Sequence, residues 1–372
     1  MKVLLNAMGL TLWGAVAITL ALSMVVLGYR ASLAHRPAGT QLTIHALNRS
    51  AAVGSGETER ESQRKVPGSP EIRRAGAIRA LLRGATEHQQ YADAVVYGKE
   101  LFEAGGADAA DLTLLVHAYE AQKDCKSVVE WSVKAISASR KSGERPAAAL
   151  YETQLQCASD AGNRAGMIAA LENLIRLTNQ SEYWNILIRL FRQDERDDHN
   201  LLMIYRVMYN TSAMNAGSDY IEMAQLLGDA GLPGEAQSIL EKAASSGLIK
   251  EEEKDRMTRL AISLRIRAEA ERNGMEREDA RATESTAGDS DVKLGEMYYG
   301  FGDYKNAAAA IAHGLKKGGI KRLDEAYVYL GLAEGAIRDN AAARSAFAGL
   351  REVSDISPQV ADLWSLYAEA RI

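Results

Sequence analysis

Asn185, Arg189 and Arg192 stand at steps of four and three residues, which puts all three on one face of any helix that carries them. An amide and two guanidinium groups in such a row can fork onto a carboxylate through charge-assisted hydrogen bonds. The chemistry on offer is recognition of an acidic or C-terminal peptide. The competing use is internal. Glu182, Asp194 and Glu195 are near enough in sequence to pair with these cations, and exposed pairs contribute only about 0–1 kcal/mol.

Other reactive residue types form no constellation. His35, His45, His88, His117, His199 and His313 each stand apart, without an HExxH spacing or a cysteine pair beside them. Gly54-Ser55-Gly56 follows no strand-like run, so it reads as neither a phosphate loop nor a nucleophile elbow. Glu251-Glu252-Glu253 suits the start of a helix, where carboxylates meet the positive end of the dipole. The stretch from Asp194 to Asp198 reads as a solvated turn. Cys125 and Cys157 lack metal-ligand spacing. They can pair in an oxidising compartment, and otherwise they are small buried apolar residues. The chain is therefore read as non-enzymatic, with no cofactor, metal or small-molecule substrate.

Composition narrows the class further. Of 372 residues, 47% are hydrophobic but only 6% aromatic, and Pro is scarce at six. Alanine and leucine dominate, a mixture that favours helix because such side chains lose little freedom there. Residues 1–80 hold ten Lys/Arg against four Glu, a net +6, and the remainder carries −11. An acidic body lacks the clustered cations that phosphate contacts need, so nucleic acid is not an expected partner.

Val3 to Tyr29 contains no charged residue. It exceeds the roughly 20 apolar residues that span a bilayer as a helix. Residues 1–34 are read as a signal anchor or, with Ser32-Leu33-Ala34 as a cleavage site, a signal peptide. The short leader favours export of the body, although positive charge flanks both ends. Residues 35–75 are rich in Gly, Ser, Arg and Glu and read as a polar tether.

From residue 76 the chain repeats itself. Leu294-Gly295, Tyr298, Gly302-Asp303-Tyr304 and Ala307 return as Leu330-Gly331, Asp339-Asn340, Ala343 and Phe347, and upstream as Tyr220, Ala224, Leu227, Gly231, Ala236 and Leu240. Successive units open at Ile78, Leu112, Tyr151, Trp184, Tyr220, about Asp255, Asp291 and Tyr327, at intervals of 33–39 residues. This resembles the tetratricopeptide repeat (TPR) superfamily. The fold class expected is all-α, a right-handed solenoid of antiparallel helix pairs over 76–357, with an N-terminal apolar targeting or transmembrane helix. Gly295, Gly331 and Ala224, with Ala236, Ala307 and Ala343, are placed where helix axes cross. Two units depart from the pattern: the fourth has an acidic turn, and residues 251–282 read as one long charged helix. Pro358 to Ile372 is expected to cap the solenoid's apolar end. Over about 180–370 the order of features is similar to a group of exported bacterial TPR proteins, a resemblance that implies location and shape but no reaction.

In such a solenoid the first helices line a groove, which the residues one and five after each opener would face. The candidate peptide-binding residues are His117, Gln156, Asn185, Arg189, Gln225 and Glu296 at those places, with Arg192 and Tyr299 three residues further along their helices. Two readings follow. One is an interaction scaffold at the bacterial inner membrane facing the periplasm, or free in the periplasm after signal cleavage, with a protein or peptide partner. The other is a structural or regulatory subunit of an inner-membrane complex with its repeats on the cytoplasmic side.

Overall fold

The computed structural model describes residues 70–353 and 356–372. The apolar segment read as a signal or anchor, and the tether up to residue 69, lie outside these residues. No helix among the described residues is long and apolar enough to cross a membrane.

Helix follows helix, with no strand among the described residues. The order is α1 (Pro70–Glu87), α2 (Tyr91–Glu103), α3 (Ala109–Ala121), α4 (Cys125–Lys141), α5 (Ala148–Asp160) and α6 (Arg164–Thr178). Then come α7 (Ser181–Asp194), α8 (Asp198–Asn210), α9 (Gly217–Asp229), α10 (Pro233–Ser246), α11 (Glu251–Asn273) and α12 (Met275–Glu284). The chain continues through α13 (Asp289–Gly300), α14 (Tyr304–Lys317), α15 (Leu323–Ala336), α16 (Asn340–Gly349) and α17 (Pro358–Arg371). Each residue taken to open a repeat falls in an odd-numbered helix, from Ile78 in α1 to Tyr327 in α15. The first of these starts at Pro70, ahead of the expected boundary at residue 76; proline is well tolerated in a first helical turn.

One turn recurs within the pairs. Gln89, Lys123, Gly162, Gly231, Gly302 and Arg338 all take positive φ. The next backbone N–H reaches back to close the preceding helix, as in Asp124 to Tyr119 (3.0 Å), Leu232 to Leu227 (2.9 Å) and Asp303 to Tyr298 (2.9 Å). This closure satisfies carbonyls that a helix end leaves free. Asp124, Asp303 and Asp339 then cap the following helix through their side chains. The fourth and sixth pairs lack the turn. Asp194 ends α7 and Asp197 caps α8 across the acidic segment. The expected single helix over 251–282 is instead two, broken at Gly274, a residue that costs helix stability where it occurs.

The chain divides into two compact units, one ending at Met167 and the other starting at Ile168. In unit 1, Ile78, Leu82 and Ala85 of α1 pack with Ala94 and Leu101 of α2 and Ala118 of α3. A disulfide joins Cys125, the first residue of α4, to Cys157 of α5, with Cα atoms 5.4 Å apart.

In unit 2 the small residues sit where the repeat requires them. A Cβ on Gly295 would come within 2.4 Å of Ile311, and one on Gly331 within 2.6 Å of the Phe347 ring. The closing helix α17 begins with Ser357 accepting from the Val360 N–H and Pro358 in its first turn. Leu363, Trp364, Leu366 and Tyr367 are buried, and the Trp364 ring stacks on Phe347 with centroids 5.3 Å apart. The other flank of α17 lies on α8, so this helix covers more than the end of the last pair. Every residue of α8 from Leu202 to Met208 is buried. All of them but Arg206 are hydrophobic, and a helical stretch hydrophobic nearly all round belongs in an interior.

Candidate functional site

The residue five places after each opener lies one helical turn along the face of the first helix, so it reports what that face does. In unit 1 these are Arg83 of α1, His117 of α3 and Gln156 of α5. Arg83 and His117 are exposed and Gln156 is half-buried. Tyr91 meets the His117 ring edge-on at 5.7 Å, which orients the imidazole. Gln156 donates to Asp160 of its own helix at 2.8 Å. The row is polar and faces solvent.

In unit 2 the equivalent face is largely consumed by the fold. Asn185 is buried and donates to the Ala213 carbonyl at 2.6 Å. Arg189 donates to Asn185 (3.1 Å), Asn215 (2.6 Å) and Asp219 (3.2 Å). Arg192 donates to Asp219 (2.9 Å) and Glu222 (3.0 Å) while its guanidinium lies 4.3 Å from the Tyr205 ring centroid. The anions given to them, Asp219 and Glu222, come from the next pair. Glu296 is buried beside Lys293 at 3.6 Å. Burial pushes its carboxyl up to about 7, against the opposing pull of Lys293. Tyr299 packs edge-on against Tyr304 (5.3 Å) and Tyr329 (5.1 Å), and burial raises its hydroxyl well above the ordinary tyrosine range. Gln225 is exposed and accepts from Arg256 at 2.8 Å.

Buried acids in the first turns of the first helices are the functional surprise. Asp111, Asp219, Asp291 and Asp324 are almost wholly out of solvent. Each takes a basic side chain from elsewhere: Arg79 on Asp111 (2.8 Å), the two arginines on Asp219, Lys317 and the His313 ring on Asp291 (2.9 and 2.7 Å), and His199 on Asp324. The sequence signal was an aspartate just before or at an opener, readable as an ordinary first-turn preference. The cations lay too far away in sequence to be matched with it.

At the centre of unit 2, Arg206 of α8 is fully buried. Its guanidinium donates to Glu235 of α10 at 3.2 Å and to the Tyr329 hydroxyl of α15, which in turn donates to Glu235. A second tie joins the same helices: His199 bonds Asp324 through Nε2 and meets Glu325 through Nδ1 at 3.1 Å. Burial opposes its charge, but the hydrogen bonds to both carboxylates outweigh that and push the imidazole up to about 9. Arg206 and Asp324 are fully buried, and their bonds tie α8 to α10 and α15. Among the described residues no group of His, Cys, Asp and Glu is arranged to hold a metal ion.

No family model matches the chain, and no curated protein matches it. Among solved structures it is similar to a tetratricopeptide repeat protein from Parabacteroides merdae ATCC 43184, at 14% identity over 79% of this chain and 98% of that one, with a TM-score of 0.31. It is also similar to a chain in the structure of Naa15/Naa10 bound to HypK-THB, at 12% identity and a TM-score of 0.31, over 80% of this chain but only 39% of that one. A third is the TPR domain of P58(IPK), at 9% identity over 80% and 97% of the two chains, with a TM-score of 0.24. In its helix pairs and the turn that recurs within them, this chain resembles the tetratricopeptide repeat proteins.

Proposed function

We propose that this chain is a non-catalytic interaction scaffold at the bacterial cell envelope, and that its peptide-binding face is the inner row of unit 1. The observation that carries the reading is the contrast at one repeat position. Arg83, His117 and Gln156 leave polar groups toward solvent, whereas Arg189 and Glu296 at the same position in unit 2 are tied into the fold. A row repeated on successive first helices suits an extended peptide, which can meet one side chain per pair. Export is supported by the pairing of the chain's two cysteines, because disulfides persist in oxidising compartments.

Two measurements test this. Alkaline phosphatase fused after residue 75 is active if the body is exported; a reporter that fluoresces only in the cytoplasm answers for the opposite topology. Chemical cross-linking in intact cells, followed by purification, captures the partner of the wild-type chain. Replacing Arg83, His117 and Gln156 together by Ala abolishes that cross-link while the helical circular dichroism stays unchanged. A cross-link that survives the triple substitution puts the interface elsewhere.

A further inference from the structure

The stack of unit 2 passes from α10 directly to α13. Ser238 of α10 donates to the Gly300 carbonyl at 3.1 Å, and Lys293 of α13 donates to the Gly231 carbonyl at 3.1 Å. A Cβ on Gly300 would come within 2.7 Å of the Glu235 nitrogen, so α10 and α13 meet closely. The long helix α11 is left on the flank of this stack. Its inner side packs on α9 and α10. Leu264 and Ala268 are buried there, Arg267 donates to the Gly228 carbonyl, and Glu271 accepts from the Gly234 N–H at 3.0 Å.

The opposite side of α11 carries Asp255, Arg259, Ile262, Ile266, Glu269 and Asn273, at steps of four, three, four, three and four residues. That spacing keeps one helix face and is the repeat by which paired helices meet. At 1.5 Å per residue the row is about 27 Å long. All six residues are exposed, Ile262 at 51% and Ile266 at 61%. Among the described residues, the side chains of Asp255, Arg259 and Glu269 make no ion pair or hydrogen bond. Arg256, Arg267 and Glu271, on the other flanks of the same helix, are all bonded to α9 or α10.

The row complements itself when reversed. Turned end for end about its midpoint, level with Leu264, it lays Ile262 against Ile266, Arg259 against Glu269 and Asp255 against Asn273. Two isoleucine contacts then form the centre, and an Arg–Glu pair closes over them on either side. A two-fold interface has this property, since residue i meets j and j meets i. A parallel copy would instead set Arg259 on Arg259 and Glu269 on Glu269, and like charges across an interface oppose it.

We propose that α11 is a dimerisation helix, and that its outer row docks on α11 of a second copy of this chain, running antiparallel. One helix face makes a small interface, so the association is weak, in the micromolar range. It uses no residue of the unit 1 row and stands or falls separately from the proposed scaffold function.

The test is sedimentation velocity of the full chain in non-ionic detergent, at concentrations from about 1 to about 200 µM, which bracket weak association. The wild type passes from monomer to dimer over this range. Ile262→Ser with Ile266→Ser, both at exposed positions, stays monomeric with its helical circular dichroism unchanged. Arg259→Glu alone, or Glu269→Arg alone, weakens the dimer about tenfold or more, because two symmetry-related attractions become repulsions. Arg259→Glu with Glu269→Arg restores the wild-type association, because the pairs re-form with reversed polarity. The N-terminal segment is common to every variant and gives each the same background. A wild type that stays monomeric, a dimer indifferent to the isoleucine substitutions, or single reversals that the double reversal does not repair overturns the proposal.

Discussion

The Arg192 guanidinium donates to Asp219 across 2.9 Å, from the first helix of one repeat to the first turn of the next, and leaves that carboxylate only 3% exposed. Arg189 reaches the same carboxylate at 3.2 Å. Cations placed to greet a foreign acid thus receive one from their own chain.

Removing both arginines should therefore cost stability. Breaking a fully buried ion pair costs about 3–5 kcal/mol, and the partial exposure of both arginines lowers this to about 1–3 kcal/mol. Arg189→Ala with Arg192→Ala is expected to lower the urea midpoint, and adding Asp219→Asn to recover part of the loss. An unchanged midpoint in the double variant would show that the pair is surface charge, free to meet a ligand.

The inner tie of α8 predicts a larger effect. Arg206→Met alone strands Glu235 and should cost about 3–5 kcal/mol. Arg206→Met with Glu235→Met and Tyr329→Phe replaces the network with apolar groups and should recover most of that. Equilibrium denaturation of the single and triple variants measures the difference. A triple variant no more stable than the single one would mean the network has no apolar substitute.

Acid and base should act in one direction. Glu296 is raised from the ordinary carboxylate range to about 7, so its ionisation opposes folding, and stability falls as pH rises between about 4.5 and 7. His199 is raised to about 9, so its contribution is complete below about 6.5 and lost as pH rises through 9. The melting temperature should decline from pH 5 to pH 9. Glu296→Gln is expected to flatten the lower half of that slope, and His199→Gln the upper half. A melting curve that rises across this range contradicts both assignments.

Ala307 is fully buried at the crossing of α13 and α14, whereas Ala309 on the same helix is exposed. Ala307→Leu should cost about 1–3 kcal/mol by overpacking, and Ala309→Leu close to nothing. Thermal melts of the two variants compare them directly.

Loss of the disulfide should also be measurable. It closes a separation of 32 residues, for which chain entropy gives about 3–4 kcal/mol. Cys125→Ser with Cys157→Ser is expected to lower the denaturation midpoint by roughly that amount. Alkylation of protein taken directly from cells should label neither cysteine of the wild type.

The pairing of helices was legible because it is written locally. Gly302-Asp303 and Gly231-Leu232-Pro233 announce the turn, and the openers mark the first helices at a steady interval. The fates of the groove residues were not legible. Arg189 looks the same in sequence whether its partner is a ligand or an aspartate thirty residues on, since one repeat brings both to the same place. That Arg206 would find Tyr329 depends on how the later pairs return to α8. Residue spacing carries no record of that return. His199, dismissed for standing alone, proves doubly bonded for the same reason.

That return of α15 and α17 to α8 has a consequence for how this protein can change over generations. In an open array each pair touches only its neighbours, so pairs are gained and lost without penalty to the rest. Here a deletion of a whole pair between α11 and α14 would shift α15 away from α8, leaving Arg206 without the Tyr329 hydroxyl and His199 without its two carboxylates. The number of pairs in unit 2 is thus held fixed by two charged side chains.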